Sequence, residues 1–572
     1  MKQSLFRLVA LLMALCLLAG CGAQAGSSQQ ASASASAVSE AAPEAEAPET
    51  EESALTTDIS PAEGEPEGAE TAEAEPEELE EPEVNTTLEY FPLEEPEEIS
   101  IMVMTNPLIS SYASDPSEFR MYQELESRLN IELDITSISP DQILNVVPLM
   151  ISSLDMPNVV FSAGFLGNYD TALDNGLISD LTDVVEEYMP NYNRVRTATE
   201  ELRKDTTTDS GRVAAVYGIY EDGNIVERGP FIRQDWLDKL DLDAPVTYKE
   251  YEDVLLAFKS EFGAKSPYHI SPDGGVTSNY LSAGYGVATD TFGRYAYVVV
   301  DGEVQYCPTM DGYREYLTML HRWYEEGLIN PDFAALAYNG GNFDTSWISS
   351  NDIGIMIAQP EQLEEFYNLA SDPDFELTAI KDARKNAGDV NHLQSPGQVL
   401  GLNFNIAADV DDLELVCRYM DYFYSDEGYL LANYGIEGES YEMVDGKPQF
   451  TDMMYNSDAN FTVMLSLYAY GNNGAYLINT HDRFAEYEEA GSIWYEDDNS
   501  YFFDGDIYAI DTTGALSYYN DIATYVSECA PKFIMGSMSL DDWDEYVANI
   551  EAMGSLDCTA ALQECVDNYN DR

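Results

Sequence analysis

Ile99-Ser100-Ile101-Met102-Val103-Met104 opens the body of this sequence, and the residues after it decide the fold. The run is rich in aliphatic residues, as a buried strand is. Phe119 to Leu129 then sets Met121, Leu125 and Leu129 at helical spacing, and Ile131 to Ile135 reads as the next strand. Pro157-Asn158-Val159-Val160-Phe161 is a further buried strand that opens into Ser162-Ala163-Gly164. Strands interleaved with amphipathic helices predict an α/β fold with largely parallel sheets, since parallel neighbours need a crossover that a helix supplies.

Later helices are announced by their caps. Thr247-x-x-Glu250 has the capping-box spacing, and Tyr251, Val254, Leu255 and Phe258 then fall on one face. Ser539-x-x-Asp542 opens a similar helix carrying Trp543, Val547 and Ile550. Another runs from Tyr313 through Leu317, Leu320 and Tyr324 and stops at Gly327. These stripes read as core. Residues 99 to 572 exceed one ordinary hydrophobic core, so two lobes are expected, and no repeat of solenoid length is present.

The whole chain has 572 residues, with 105 Asp+Glu against 26 Lys+Arg and a formal net charge of -79. That balance excludes nucleic acid as a partner and a polybasic attachment to anionic lipid, both of which require basic surfaces. Much of the acid lies in one stretch. Glu40 to Glu98 holds 23 acidic residues, and no Lys or Arg occurs from Gly22 to Glu98. Such a segment buries too little apolar surface to offset its ordering entropy, so residues 22–98 read as a disordered acidic linker spanning roughly 50 Å or more. Residues 99–572 keep a net charge near -58.

Lys2 and Arg7 precede an apolar run from Leu8 to Leu18, the layout of a secretory signal peptide over residues 1–21. Leu18-Ala19-Gly20-Cys21 resembles the bacterial lipoprotein signal box, which implies a diacylated Cys21 and a lipid anchor. Five cysteines remain in the body, Cys307, Cys417, Cys529, Cys558 and Cys565. Their number is odd and their spacing matches no zinc pattern, and one disulfide is possible outside the cell. Cys558 and Cys565 stand two helical turns apart, too far for a bond within one straight helix, so buried free thiols are expected.

Chemistry-bearing motifs do not stand out. His269, His321, His392 and His481 are scattered singly, with no metalloprotease pair among them. There is no nucleophile elbow, P-loop or dinucleotide fingerprint. The cluster Glu496-Asp-Asp-Asn499 with Asp504 and Asp506 reads as a solvated acidic loop, since no stretch has the calcium-loop pattern. No catalytic residue, metal site or cofactor is expected.

Gly229 to Leu240 (Gly-Pro-Phe-Ile-Arg-Gln-Asp-Trp-Leu-Asp-Lys-Leu), Trp323 to Phe333 around Glu326-Gly327-Leu328-Ile329-Asn330-Pro331, Asn433 to Tyr441 around Gly435-Ile436-Glu437-Gly438, and Phe533-Ile534-Met535-Gly536 with Trp543 are four further stretches to be read together. Together they resemble one family, the bacterial extracellular solute-binding lipoproteins of carbohydrate ABC transporters. The resemblance implies a two-lobe, type II periplasmic-binding-protein-like fold with hinge strands and an interlobe cleft. The implied division is 99–215 for the first lobe, 216–395 for the second, and 396–572 returning to the first with helices shared by the second. Implied partners are an oligosaccharide ligand, the transmembrane subunits of an ABC permease, and the membrane, reached through Cys21 on the outer face of the cytoplasmic membrane; the chain is expected as a monomer without catalysis. Relatives often carry a calcium-loop-like insertion after the helix ending here at Lys259; this chain reads Ser260-Glu-Phe-Gly-Ala-Lys-Ser266, so no calcium site is carried over. The alternatives are a secreted glycoside hydrolase, or a receptor for a peptide or other solute.

Sugar rings stack on aromatic faces and need fixed polar partners at their rims. By placement at strand ends, the ligand-binding candidates are Asn106, Tyr112, Ser162, Tyr169, Tyr220, Tyr285, Trp347, Glu437, Glu439 and Tyr441. Arg233 and Trp236 join them from the family motif, though a carboxylate partner for Arg233 and a core position for Trp236 would account for both equally well.

Overall fold

Runs of two to eight residues supply the strands, and a computed structural model describes residues 86–104, 109, 112–113, 115–153, 156–161, 166–221, 228–270, 279–289, 296–335, 345–392, 398–444, 446–455, 457, 459, 461–469, 475–477, 490–491, 493–494 and 518–572. In chain order the strands are β1 (Glu97–Met104), β2 (Ile131–Ile138), β3 (Val159–Phe161), β4 (Val216–Tyr220), β5 (Gly229–Arg233), β6 (Ser266–Tyr268), β7 (Tyr297–Val300), β8 (Glu303–Tyr306), β9 (Ile353–Ala358), β10 (Leu377–Ala379), β11 (Val399–Ile406), β12 (Tyr441–Val444), β13 (Lys447–Phe450) and β14 (Tyr476–Leu477). They form a six-stranded sheet in the order β14-β4-β11-β3-β1-β2, a four-stranded sheet in the order β10-β5-β9-β6, and two hairpins.

The opening βαβ unit forms as its periodicity predicts. β1 pairs in parallel with β2 from Glu97↔Ile131 to Met104↔Ile138. The helix between them is Arg120–Leu129, and Asn130 ends it in a left-handed conformation at φ 53. The Thr247 capping box is present and starts the helix Tyr248–Phe262, which Gly263 closes at φ 69. Ser539 caps a short 3-10 turn ahead of the helix Trp543–Ala552.

Each sheet has its own core. Ile99, Ile101, Leu125, Val160, Phe161, Ile219, Phe404 and Ile406 are buried around the first sheet. Ile232, Trp236, Leu255, Phe258, Leu317 and Trp323 are buried around the second, where Phe533, Trp543 and Leu562 of the last helices join them. The mixed α/β fold thus has two lobes. β4, which begins where the sequence reading starts the second lobe, pairs within the first sheet beside β11.

The ordered body also starts before Ile99. Thr86–Tyr90 is a helical turn, and Phe91 and Thr87 are buried. Composition had assigned these residues to the linker, but Leu88, Tyr90 and Phe91 give the segment apolar surface to bury against the first core. Its polar anchor is Asp421, which accepts hydrogen bonds from Thr87 Oγ1 (2.6 Å), Asn191 Nδ2 (2.6 Å) and the Tyr192 amide (2.7 Å). Burial pushes the Asp421 carboxyl up to about 6, against the opposing pull of these donors and Arg418.

A folded-state value above the ordinary 3.8 means that the folded chain keeps a proton which the unfolded chain releases. The associated stability, about 3 kcal/mol for a shift of this size, is complete below about pH 4 and is lost as the pH rises through about 6. Urea midpoints measured from pH 4 to 7 should therefore fall with rising pH, and the fall should shrink by about one proton's worth in Asp421→Asn. An identical slope in the variant would reject this assignment.

Among the described residues the cysteines form no disulfide; Cys307, Cys417, Cys529 and Cys558 are buried and Cys565 is partly so. Burial holds the Cys307 thiol up at about 12, where it is unreactive. Among the described residues no helix is long and apolar enough to cross a membrane. Cys21 and the acidic cluster 496–506 lie outside the described residues.

Candidate functional site at the strand crossings

Three passages of chain link the two sheets. The first leaves β4 at Tyr220 and enters β5 at Gly229, the second leaves β10 at Ala379 and enters β11 at Val399, and the third leaves β14 at Leu477 and reaches Trp494 on the second sheet. Strand directions place these passages at a common edge of each sheet. β3 is parallel to β1, while β11 is antiparallel to both β3 and β4, so β1, β3 and β4 share a direction. In the second sheet β6 is parallel to β9, and the carboxyl end of β9 pairs with the start of β5, Gly229↔Ala358. The carboxyl edges of both sheets therefore lie where the chain crosses. In open α/β sheets this is the edge at which ligands bind, because loops there can vary without disturbing the core.

The described residues at the first-sheet edge form a small polar and aromatic set. Gln398 Nε2 donates to the carbonyls of Tyr220 (3.1 Å) and Glu221 (3.2 Å). Tyr429 donates its hydroxyl to Glu221 Oε2 at 3.1 Å. The rings of Tyr429 and Tyr476 lie 5.7 Å apart at 47°. Asn433 Nδ2 donates to the carbonyls of Tyr429 and Tyr476, which fixes the two backbones together. Burial first, then the Glu221 charge, raises the Tyr429 hydroxyl above its ordinary range, so it stays a donor. Tyr429 and Tyr476 are half-buried and Glu221 is exposed. A carboxylate, an amide and two partly open aromatic faces match the apolar faces and hydroxyl rims of a sugar.

At the second-sheet edge, His269 follows β6 and its ring lies 5.6 Å from that of half-buried Trp347. His269 Nδ1 is 3.1 Å from Ser266 Oγ. Trp494 is 1% exposed and donates Nε1 to the Ile380 carbonyl at 3.1 Å, with Phe231 edge-on to it at 5.4 Å. A Cβ at Gly229 would overlap the Trp494 indole, so the glycine is what lets the ring lie against the first crossing.

The residues singled out from sequence are scattered across this frame. Tyr220 is at the first crossing, buried, with its amide donating to the Gln398 carbonyl. Trp347 is at the second-sheet edge. Tyr285 is half-buried against Tyr248 at 4.5 Å with the Lys385 ammonium over its face, and burial pushes its hydroxyl up to about 12. Tyr169 is fully buried and donates to Asn403 Oδ1 at 2.7 Å. Tyr112 is exposed, and Glu437 is exposed in the loop before β12. Glu439 takes a bidentate ion pair from Arg120 (3.0 and 2.7 Å), and Tyr441 is buried beside Tyr434. Asn106 and Ser162 lie outside the described residues.

Arg233 and Trp236 are held by the second core. Arg233 is 0% exposed and gives a bidentate pair to Asp235 (2.7 and 2.9 Å) and a bond to Asn351 Oδ1 (2.5 Å). Its guanidinium lies between the rings of Trp236 (4.2 Å) and Phe375 (4.5 Å). Trp236 is stacked on Phe262 at 4.6 Å. All faces of both side chains are thus occupied by protein.

Glu221, Gln398, Tyr429 and Tyr476 were absent from the residues singled out by sequence. Glu221 had one local signal, its place directly after an apolar strand. Tyr429 had none, since its partner is 208 residues away.

No family model matches the chain. It is 24% identical over 375 residues to lipoprotein LipO of Bacillus subtilis, covering 63% of this chain and 70% of LipO. It is 23% identical over 478 residues to the polygalacturonan/rhamnogalacturonan-binding protein YtcQ of Bacillus subtilis, covering 79% of this chain and 89% of YtcQ. The fructooligosaccharide ABC transporter substrate-binding protein FusA of Streptococcus pneumoniae is 28% identical over 259 residues, 42% of this chain and 46% of FusA. The structure of FusA in complex with kestose superposes with a TM-score of 0.65 at 19% identity, covering 83% of this chain and 99% of that structure. By sequence the chain is a relative of the lipoprotein LipO, of YtcQ and of the ABC transporter substrate-binding protein FusA, and it shares the fold of FusA.

Proposed function

We propose that this chain is the lipid-anchored, extracellular substrate-binding subunit of an ABC importer, capturing an oligosaccharide between its lobes and delivering it to the permease without chemical change. The observation that carries this reading is the set at the crossings, where Glu221, Gln398, Tyr429 and Tyr476 combine hydroxyl-bonding groups with aromatic faces. The names of FusA and YtcQ point to the same class of ligand. Rotation of the lobes about the crossings would bring Trp347 toward that set and bury the sugar, a hinge closure. Cys21 would hold the protein on the outer face of the cytoplasmic membrane.

The strongly acidic body makes a neutral sugar the easier guest. Arg233, the cation that the family motif offers to a uronate, is fully engaged by Asp235 and Asn351.

Thermal-shift measurement against a panel of neutral and uronate oligosaccharides is the primary test. A ligand at about 100 times its Kd adds about 2.7 kcal/mol to the native state and raises Tm. No shift with any saccharide would overturn the reading. Tyr476→Ala should weaken the sugar found about tenfold, corresponding to about 1.4 kcal/mol of stacking. Mass spectrometry after prolonged incubation should recover only intact sugar, and released fragments would favour a hydrolase instead.

A further inference from the structure

The last helix, Ser555–Asp571, packs in two bodies. Along its first three turns Cys558, Leu562 and Val566 are buried in the core of the second lobe. Gln563 reinforces that attachment, accepting from the Val304 amide at 2.8 Å and donating to the Gly302 carbonyl at 2.9 Å. The end of the same helix reaches the first lobe. Tyr569 donates its hydroxyl to Asp205 Oδ1 at 2.5 Å. The Arg572 guanidinium donates to Asp209 Oδ1 at 2.6 Å and to the carbonyls of Lys204 (2.8 Å) and Thr207 (2.5 Å). Its side chain is only 5% exposed.

The receiving loop is rigidly part of the first lobe. Leu202, in the helix leading into it, is buried in the first core. Asp170 of the helix Tyr169–Asp174 accepts from Thr208 Oγ1 (2.8 Å), the Ser210 amide (3.1 Å) and Arg212 Nε (2.9 Å), so the turn that presents Asp209 cannot follow the helix if the helix moves. A helix advances about 1.5 Å per residue and transmits displacement as a rod. Seven residues separate Leu562 from Tyr569, so a rotation of the second lobe about the chain crossings is carried directly to the Asp205 and Asp209 contacts.

We propose that Tyr569 and Arg572 form an interlobe latch, a fourth connection between the lobes made by side chains, which sets the lobe separation of the ligand-free protein. The three chain crossings are covalent and cannot separate. The latch consists of hydrogen bonds and one ion pair that can break and re-form, so it is the connection able to give the hinge two discrete positions. Losing it should widen the range of lobe separations sampled without unfolding either lobe, because both cores close without Tyr569 and Arg572.

Double electron–electron resonance on the full chain tests this without any ligand, so its outcome is independent of whether the guest is a sugar. Spin labels are attached through p-acetylphenylalanine in place of Glu132 on the first lobe and Lys249 on the second, both exposed. The parent should give one narrow distance distribution, and Tyr569→Phe with Arg572→Ala should shift its mean or at least double its width, with far-UV circular dichroism retained. Asp209→Ala removes only the receiving carboxylate and should give a smaller broadening of the same kind; it decides the matter should the double variant fail to fold. Superimposable distributions in parent and folded variants would overturn the latch.

Discussion

Arg233→Ala is expected to destabilise the second lobe by about 3–5 kcal/mol. The side chain leaves Asp235 as a buried carboxylate, 5% exposed, with Lys239 as its remaining ion-pair partner at 3.2 Å. It also leaves Asn351 without its donor and opens a gap between Trp236 and Phe375. A lysine does not replace it, since an ammonium cannot make the bidentate pair or present a flat face to two rings. Urea unfolding followed by tryptophan fluorescence measures the loss. Asp235→Ala combined with Arg233→Ala should cost less than the two single changes added together, because the second change removes the charge that the first left unpaired. A single-variant loss below about 1 kcal/mol would mean that water reaches this pair and that the buried network does not hold the strand-to-helix turn.

Trp494→Ala should cost about 3–5 kcal/mol, as expected for removing a buried aromatic from a packed site. The indole seals the space between Phe231, Gly229 and the Ile380 carbonyl, so its loss also removes a hydrogen-bond donor from a buried acceptor. Because the residue sits where the first and second crossings meet the second sheet, a second consequence is expected: oligosaccharide affinity falls along with stability. A complementary change, Gly229→Ala, forces a Cβ into the ring and should destabilise by about 1–3 kcal/mol. Melting temperature and ligand titration on both variants measure the two effects. A Trp494→Ala protein with unaltered affinity would confine the indole to packing.

Much of the architecture was legible in local patterns. The opening βαβ unit follows from apolar residues at periods of two and 3.6, which report burial regardless of what they pack against. The Thr247 capping box marked the start of its helix, because a cap satisfies backbone donors within one turn, whereas the end lies at Phe262 and not at Lys259. The acidic linker was drawn thirteen residues too long at its end. Net composition concealed Leu88, Tyr90 and Phe91, whose burial depends on a groove built mainly by residues 190–196 and 412–422.

The candidate site was less legible. Tyr169 and Tyr441 have the composition and placement of sugar contacts, yet their rings are core. A tyrosine at a strand end looks the same in sequence whether it points to solvent or inward. Arg233 and Trp236 carry a family motif whose visible work here is to hold each other and Asp235.

Length, charge distribution, caps and periodicity determined by themselves that this is an acidic, two-lobed α/β protein, because each of those properties is local or additive along the chain. Only the tertiary structure decided which residues meet. Glu221 finds Tyr429 across 208 positions, Trp494 finds Gly229, and Tyr569 finds Asp205 across 364. Such pairs leave no mark in a single sequence, since their free energy comes from desolvation and geometry supplied by two sheets and the three strands of chain that join them.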